Sequence, residues 1–245
     1  MDNLIISNEH NGVLIISINR LDKKNALNND MYLELCRLFT MANESDDIRC
    51  VLIQGDEKCF CAGNDLHDFI KSSESGDLAA FDLVKALATL EKPLVAAVAG
   101  PAVGIGTTLL LHCDMVYAAN NAKFKLPFTQ LGLCPEAGSS LLLPMRIGHN
   151  RAFELLVLGK MFTAEQALDY GLINEICPAD ELLETALNTA NTIAKLPLDS
   201  MLTSRKLMKA HTQEILTQVI DNEAEQFKRL VNTDECKNIL ASFFK

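Results

Sequence analysis

Short β-branched and apolar runs separated by helical patterns restrict this chain to an α/β fold more than any other feature of its sequence. Residues 4–6 and 13–18 flank His10-Asn11-Gly12 and read as a hairpin. Residues 51–53, 94–98 and 115–118 are apolar throughout, as strands covered on both faces are. Helical patterns lie between them. One is capped around Asn28-Asn29-Asp30 and runs to about Ala42, with Met31, Leu35 and Leu38 on one face. Another covers 78–90, and a buried one covers 104–112. Residues 60–66 read as a loop and 72–77 as a polar surface segment. Strands and helices in alternation predict parallel strands joined by helical crossovers. After Cys177-Pro178 the pattern changes. Residues 179–194, 200–211 and 216–232 read as consecutive amphipathic helices, with a last short one over 234–244. The expected division is an α/β core over 1–178 and a helical region over 179–245. The last helices look too thin to bury their own apolar faces, so they are expected to pack on the core or on a neighbouring subunit.

Composition removes several classes of function. Lys plus Arg number 22 against 32 Asp plus Glu, a net charge of −10, so the bulk field repels nucleic acid and any anionic ligand needs a local basic patch. No apolar run approaches the ~20 residues of a membrane span. The first residues, Met1-Asp2-Asn3, lack the basic and apolar regions of a secretion signal. The 8 Cys are therefore expected as reduced thiols in a bacterial cytoplasm or, as the alternative, in an organellar matrix after processing. Phe-Phe-Lys at the C-terminus is not the Ser-Lys-Leu peroxisomal address. Cys59-Phe60-Cys61 has no second cysteine pair nearby and the 5 His are scattered, so no metal site is expected. No nucleophile elbow or Walker loop occurs. Gly104-Ile105-Gly106-Thr107-Thr108-Leu109 lacks the third glycine of a dinucleotide fingerprint, but its small residues suit a helix N-terminus.

The chemical information sits in segments that follow strand ends. Lys24-Asn25-Ala26-Leu27 comes after the strand ending near Asn19-Arg20. Phe60-Cys61-Ala62-Gly63-Asn64-Asp65-Leu66 comes after the strand at 51–53. A third stretch runs from Gly100-Pro101-Ala102-Val103-Gly104-Ile105-Gly106 through Cys113-Asp114 to Leu131-Gly132-Leu133-Cys134-Pro135-Glu136-Ala137-Gly138. Taken singly, Ala62-Gly63 could be a tight turn, Gly104 and Gly106 could serve close helix–sheet packing, and Glu136 could be a helix N-cap or first-turn acid. In this order and spacing, the segments resemble the crotonase, or enoyl-CoA hydratase/isomerase, superfamily over about residues 10 to 180.

That resemblance implies a crotonase-like ββα spiral core with a C-terminal helical trimerisation region. It also implies an acyl-CoA thioester substrate, with coenzyme A carried in the substrate and no separate cofactor. An enolate formed at the thioester needs hydrogen-bond donors aimed at its oxygen, and the family's backbone donors fall here on Asn64 and Ile105. The loop ending in Ala62-Gly63-Asn64 and the helix N-terminus at Gly104 can present such amides. Losing one donor typically costs ~3 kcal/mol of transition-state stabilisation. The implied substrate-binding set is Lys24, Ala26, Leu27, Ala62, Gly63, Asn64, Asp65, Leu66, Ile105, Phe128 and Leu133. Arg20, Lys23 and Lys24 form the local basic patch. Lys23 or Lys24 could meet the phosphates of CoA, or could simply be solvated, and Lys71 and Lys245 are weaker candidates. Asp65 is expected to hold its loop by accepting backbone N–H bonds, and Asp114 to start a strand without a chemical role. Related proteins are trimers or pairs of trimers, with a C-terminal helix closing a neighbour's CoA pocket. Phe243, Phe244 and Lys245 would suit that place, and the segment 69–83 would line the acyl channel.

The carboxylates choose among the superfamily's reactions. Hydratases use two glutamates, and those positions here hold Thr108 and Phe128, neither an acid or base near neutral pH. Glu136 remains, in a stretch that resembles the Δ3,Δ2-enoyl-CoA isomerase branch of fatty acid β-oxidation. There a single glutamate moves a proton from C2 to C4 in a dry pocket. Phe128, Leu131 and Leu133 are expected to supply its walls and to raise the proton affinity of Glu136. The alternatives are hydration or another crotonase-type acyl-CoA reaction, or a non-catalytic acyl-CoA-binding protein.

Overall fold

Strand order follows from how each apolar run is covered. The computed structural model describes residues 3–75 and 79–243. The hairpin is β1 (Ile5–His10) and β2 (Val13–Ile18), antiparallel, with Asn11 and Gly12 at positive φ in its turn. β1 is longer than the apolar run at 4–6, because only Ile5 in it is buried and its outer residues are polar. Helix α1 (Asn29–Glu44) starts where the Asn28 side chain accepts the Met31 N–H at 3.0 Å. It buries Met31, Tyr32, Leu35, Leu38, Phe39 and Ala42 on one face.

Then come β3 (Cys50–Gln54), α2 (Leu66–Ser75), α3 (Ala79–Thr89), β4 (Leu94–Val98) and β5 (Pro101–Val103). α2 replaces much of the expected polar surface segment. Next are α4 (Ile105–Thr108), β6 (Met115–Ala119) and β7 (Lys123–Lys125). The buried helix expected over 104–112 is α4 tightening into a 3-10 turn at Leu109–His112. The chain continues through α5 (Ser139–Ile147), α6 (His149–Leu156), β8 (Phe162–Thr163), α7 (Ala164–Asp169) and β9 (Glu175–Cys177). It ends in α8 (Leu182–Lys195), α9 (Leu198–Val231) and α10 (Asp234–Ser242).

The main sheet has the order β1-β2-β3-β4-β6-β9 and is parallel from β2 onward. Both faces are covered. Val51, Ile53, Leu94, Ala96 and Val98 join the larger core beneath α1 and α3, while Cys50, Leu52, Val95 and Ala97 pack with α8 through Ala186, Ala190 and Ala194. Alternate residues thus enter different cores, which is why these strands read as apolar throughout.

A smaller sheet, β5-β7-β8, carries the geometry that matters for function. Two isolated parallel bridges extend the same layering: Leu27 beside Asn64, and Cys61 beside Ala102. Successive strand-end loops are stacked in this way, as a spiral requires.

The C-terminal helices pack on the rest of the chain. The helices expected over 200–211 and 216–232 are one continuous α9. Nothing between 198 and 231 is Gly or Pro, so the polar stretch Thr212-Gln213-Glu214 does not break it. Asp114 fastens α9 to the sheet. It accepts from Leu94 N at 2.8 Å, Arg205 Nε at 2.9 Å and Lys209 Nζ at 3.5 Å.

Candidate active site

Three loops meet through backbone hydrogen bonds. Leu27 N donates to Gly63 O at 2.8 Å, Asp65 N to Leu27 O at 2.8 Å, and Ala62 N to Lys24 O at 3.1 Å. On the other side, Cys61 N donates to Pro101 O at 3.1 Å and Val103 N to Cys61 O at 2.9 Å. The Lys24–Leu27 loop, the Cys61–Asp65 loop and the β5–α4 junction are therefore neighbours.

Glycine makes the second contact possible. A Cβ on Gly106 would lie 2.6 Å from Cys61 O, and one on Gly63, at φ +95, would lie 3.0 Å from Val103 O. Among the described residues, the N–H groups of Asn64 and Ile105 have no hydrogen-bond acceptor. Asn64 sits in a bridge that uses the N–H of Asp65 instead, and Ile105 opens α4.

Side chains lock this frame. Arg20 Nη1 donates to Ala26 O at 2.9 Å and pairs with Asp65 Oδ2 at 2.8 Å. Asp65 also accepts from the N–H groups of His67 and Asp68 at 3.0 and 3.2 Å, as expected of an acid that holds its loop. Burial alone would raise the Asp65 pKa, but Asp68 N–H, Arg20 and His67 N–H outweigh it and hold the carboxyl below its usual range. Arg20 is committed to this staple, which leaves exposed Lys23 and Lys24 as the cations of the basic patch. Tyr32 was not visible as a site residue, because its place on the buried face of α1 reads as core. Its hydroxyl donates to Asn64 Oδ1 at 2.5 Å and fixes that side chain.

Glu136 is 8% exposed. It is not the helix cap that sequence rules allow: α5 begins at Ser139 with Gly138 as its cap residue, and the Ser140 N–H in its first turn goes to Glu223, not to Glu136. The Glu136 carboxyl instead receives Thr108 Oγ1 at 2.5 Å, from the last residue of α4. Burial pushes its pKa up to about 8; the Thr108 hydrogen bond opposes the rise and the charge of Glu223 adds to it. A carboxyl with that proton affinity can take and return a proton near neutral pH. Thr108 therefore ties Glu136 to the same short helix that presents the free Ile105 amide. Phe128 and Leu133 are buried in the core cluster that includes Ile105 and Ala137.

Other expected residues are peripheral or lie outside the described part. Leu66 starts α2 and is half-buried, Lys71 is exposed, and Phe243 is exposed at the chain's end. Phe244 and Lys245, and residues 76–78 of the expected acyl-channel segment, lie outside the described residues. Within that segment, Phe69 and Phe81 both meet Phe227 of α9 edge-on, at 5.9 and 5.7 Å. A narrow cleft lined by Leu27, Tyr32, Asn64, Phe69 and Ala79 runs between α1 and this segment.

The enoyl-CoA hydratase/isomerase family model matches residues 8–245. The chain belongs to that family. Its relatives include the 1,2-epoxyphenylacetyl-CoA isomerase of Escherichia coli (strain K12), 36% identical over 89% of this chain and 87% of that protein. The enoyl-CoA delta isomerase 2 of Rattus norvegicus is 35% identical over 98% of this chain, which spans 63% of that protein's length. Among solved structures, an enoyl-CoA hydratase/isomerase from Pseudoalteromonas atlantica T6c superimposes with a TM-score of 0.95 and 39% identity, covering 99% of this chain and 97% of that one. The mixed α/β fold with a helical C-terminal region is thus the family's, and the chain is an enzyme of the enoyl-CoA hydratase/isomerase type.

Proposed function

We propose that this enzyme is an acyl-CoA isomerase that converts a 3-enoyl-CoA into the trans-2-enoyl-CoA, as in fatty acid β-oxidation, with Glu136 as its single proton carrier. The observation that carries the reading is the state of the carboxylates. Glu136 and Glu223 are the only buried ones among the described residues, and Glu223 is fully engaged by other donors. At the two positions where hydratases carry glutamates stand Phe128, and Thr108, which hydrogen-bonds to Glu136. Such a site has one group to move a proton and no second one to activate water.

The thioester oxygen sits between the free amides of Asn64 and Ile105. Glu136 takes the C2 proton, and the electron pair spreads over the dienolate to that oxygen. The same carboxyl then returns the proton to C4 while the double bond forms between C2 and C3. Nothing is consumed and no other reactant is needed. Phe128 and Leu133 keep water from the carboxyl between the two transfers. The loop of Lys24, Ala26 and Leu27 takes the adenosine end of coenzyme A, with Lys23 and Lys24 near its phosphates. The working unit in this reading is a homotrimer or a dimer of trimers.

The decisive measurement compares 3-enoyl-CoA isomerisation, 2-enoyl-CoA hydration and 1,2-epoxyphenylacetyl-CoA turnover in wild type and Glu136→Gln. Isomerisation of the 3-enoyl thioester should dominate and fall by about 10³-fold in the variant while acyl-CoA affinity persists. Full activity in the variant removes Glu136 as the base. Faster hydration than isomerisation makes the enzyme a hydratase, and binding without any turnover makes it an acyl-CoA-binding protein.

A further inference from the structure

The peptide unit that joins Ala137 to Gly138, immediately after Glu136, is gripped at both ends by side chains remote in sequence. Its carbonyl accepts from His112 Nε2 at 2.8 Å, and its N–H donates to Glu223 Oε2 at 2.6 Å. The second oxygen of Glu223 accepts from Ser140 N at 2.9 Å and Ser140 Oγ at 2.5 Å. One carboxylate on α9 therefore holds the turn and the first residues of α5 together.

The turn needs holding. Ala137 and Gly138 adopt φ of +58 and +68, the left-handed region, and Ala137 carries a Cβ that disfavours it. A Cβ on Gly138 would lie 2.3 Å from Leu216 Cδ1, so α9 presses directly on this peptide. His112 and Glu223 are both buried. Burial pushes the His112 pKa down to about 4, so the ring is neutral in the working range and its proton on Nε2 is the one given to Ala137 O.

We propose that His112 and Glu223 are positioning residues: gripping the Ala137–Gly138 peptide from opposite ends, they hold the left-handed turn that aims the Glu136 carboxyl at the substrate. The proposal rests on the reading of Glu136 as the base. Neither side chain touches substrate. Both act through the direction in which the backbone launches Glu136, one residue upstream of the gripped peptide, and the charge of Glu223 also adds to the proton affinity of Glu136.

The test measures kcat and KM for a 3-enoyl-CoA, and Kd for a saturated acyl-CoA of the same length, in wild type, Glu223→Gln, His112→Phe, His112→Gln and Ser140→Ala. Thermal unfolding checks each variant. A mis-aimed base costs up to about 10²-fold in rate. Glu223→Gln should lose about thirtyfold in kcat, His112→Phe about tenfold and Ser140→Ala about threefold, with KM and Kd within about twofold of wild type. His112→Gln keeps a donor and should recover most of the loss. Unchanged kcat in Glu223→Gln and His112→Phe overturns the proposal, and so does a loss of kcat matched by an equal loss of affinity. If Glu223→Gln does not fold, the His112 pair and Ser140→Ala decide by the same criteria. Glu136→Gln separates the two readings. If it is fully active, the base assignment is wrong. If it is inactive while the His112 and Glu223 variants turn over normally, the positioning proposal alone fails.

Discussion

Glu136 and Glu223 are each 8% exposed and lie on either side of the same turn, yet their surroundings differ. Glu136 has one donor, the Thr108 hydroxyl. Glu223 has the N–H groups of Gly138 and Ser140 and the Ser140 hydroxyl. Burial raises both pKa values, and for Glu223 the Ser140 and Gly138 donors pull back toward the charged form. Equal burial thus yields two kinds of carboxyl. With several fixed amide and hydroxyl donors it is a fastening whose charged form those donors favour against burial. With a single hydroxyl it remains a group whose proton comes and goes.

Neutralising each acid in turn should give the largest and most contrasting effects on stability. The folded pKa of Glu136, about 8, lies above its ordinary 4.5. Between those values the folded state binds more protons than the unfolded one, so its contribution to stability falls as pH rises through that window and is level above it. Glu136→Gln, which does not titrate, should therefore match wild type near pH 4 and exceed it by on the order of 4 kcal/mol at pH 9 in chemical denaturation. Glu223→Gln should instead lose about 2 kcal/mol at neutral pH, because buried donors lose an acceptor. A Glu136→Gln protein destabilised at pH 9 would break the contrast.

A smaller effect is expected from Thr108→Val, which keeps shape and removes the one donor to Glu136. The pH at which kcat/KM reaches half its plateau, near 8 in wild type, should move upward, and kcat/KM at pH 7 should fall about tenfold. An unmoved profile would mean that the hydroxyl does not stabilise the charged carboxyl.

Asp65 extends the series to the rim and to the smallest change. It has several donors and a lowered pKa, so its stabilisation is present above its ordinary 3.8 and is lost as pH falls through the folded value. Asp65→Asn should cost about 1 kcal/mol near pH 7 and progressively less as pH falls below 3.8. A cost that persists in acid would assign the loss to shape instead of charge.

Much of this molecule was legible beforehand. β3, β4 and β6 show in the sequence because strands covered on both faces must be apolar throughout, and α1 shows because its cap and buried face recur at helical spacing. The loops that carry Glu136, Asn64 and Ile105 show as short motifs at strand ends, and the structure brings the Asn64 and Ile105 segments side by side and bonds Glu136 to the helix that Ile105 opens. The fastening roles were not legible, although Arg20 was read as part of the basic patch and Thr108 as the occupant of a hydratase glutamate position. Tyr32, Thr108, His112 and Arg20 act through hydrogen bonds to partners distant in the chain, and such pairs leave no period in the sequence. Glu223 did leave a trace. It stands in the stripe Leu216, Ile220, Phe227 and Val231, where every other member is apolar and buried. An acid at such a position must have partners.

The glycines at 63 and 106 divide the tolerance of the site to change. At these positions any added carbon collides with backbone oxygen, so variation there disrupts the stacking of the loops themselves. One step along the chain, at 64 and 105, the backbone supplies the unpaired amides, and the side chains, Asn64 bonded to Tyr32 and Ile105 packed in the core, are where shape can change without touching those amides. Breeding this enzyme toward acyl groups of new shape should therefore begin with libraries at 64 and 105. Position 32 belongs in the same library, because its hydroxyl and the Asn64 side chain are bonded and must change as a pair.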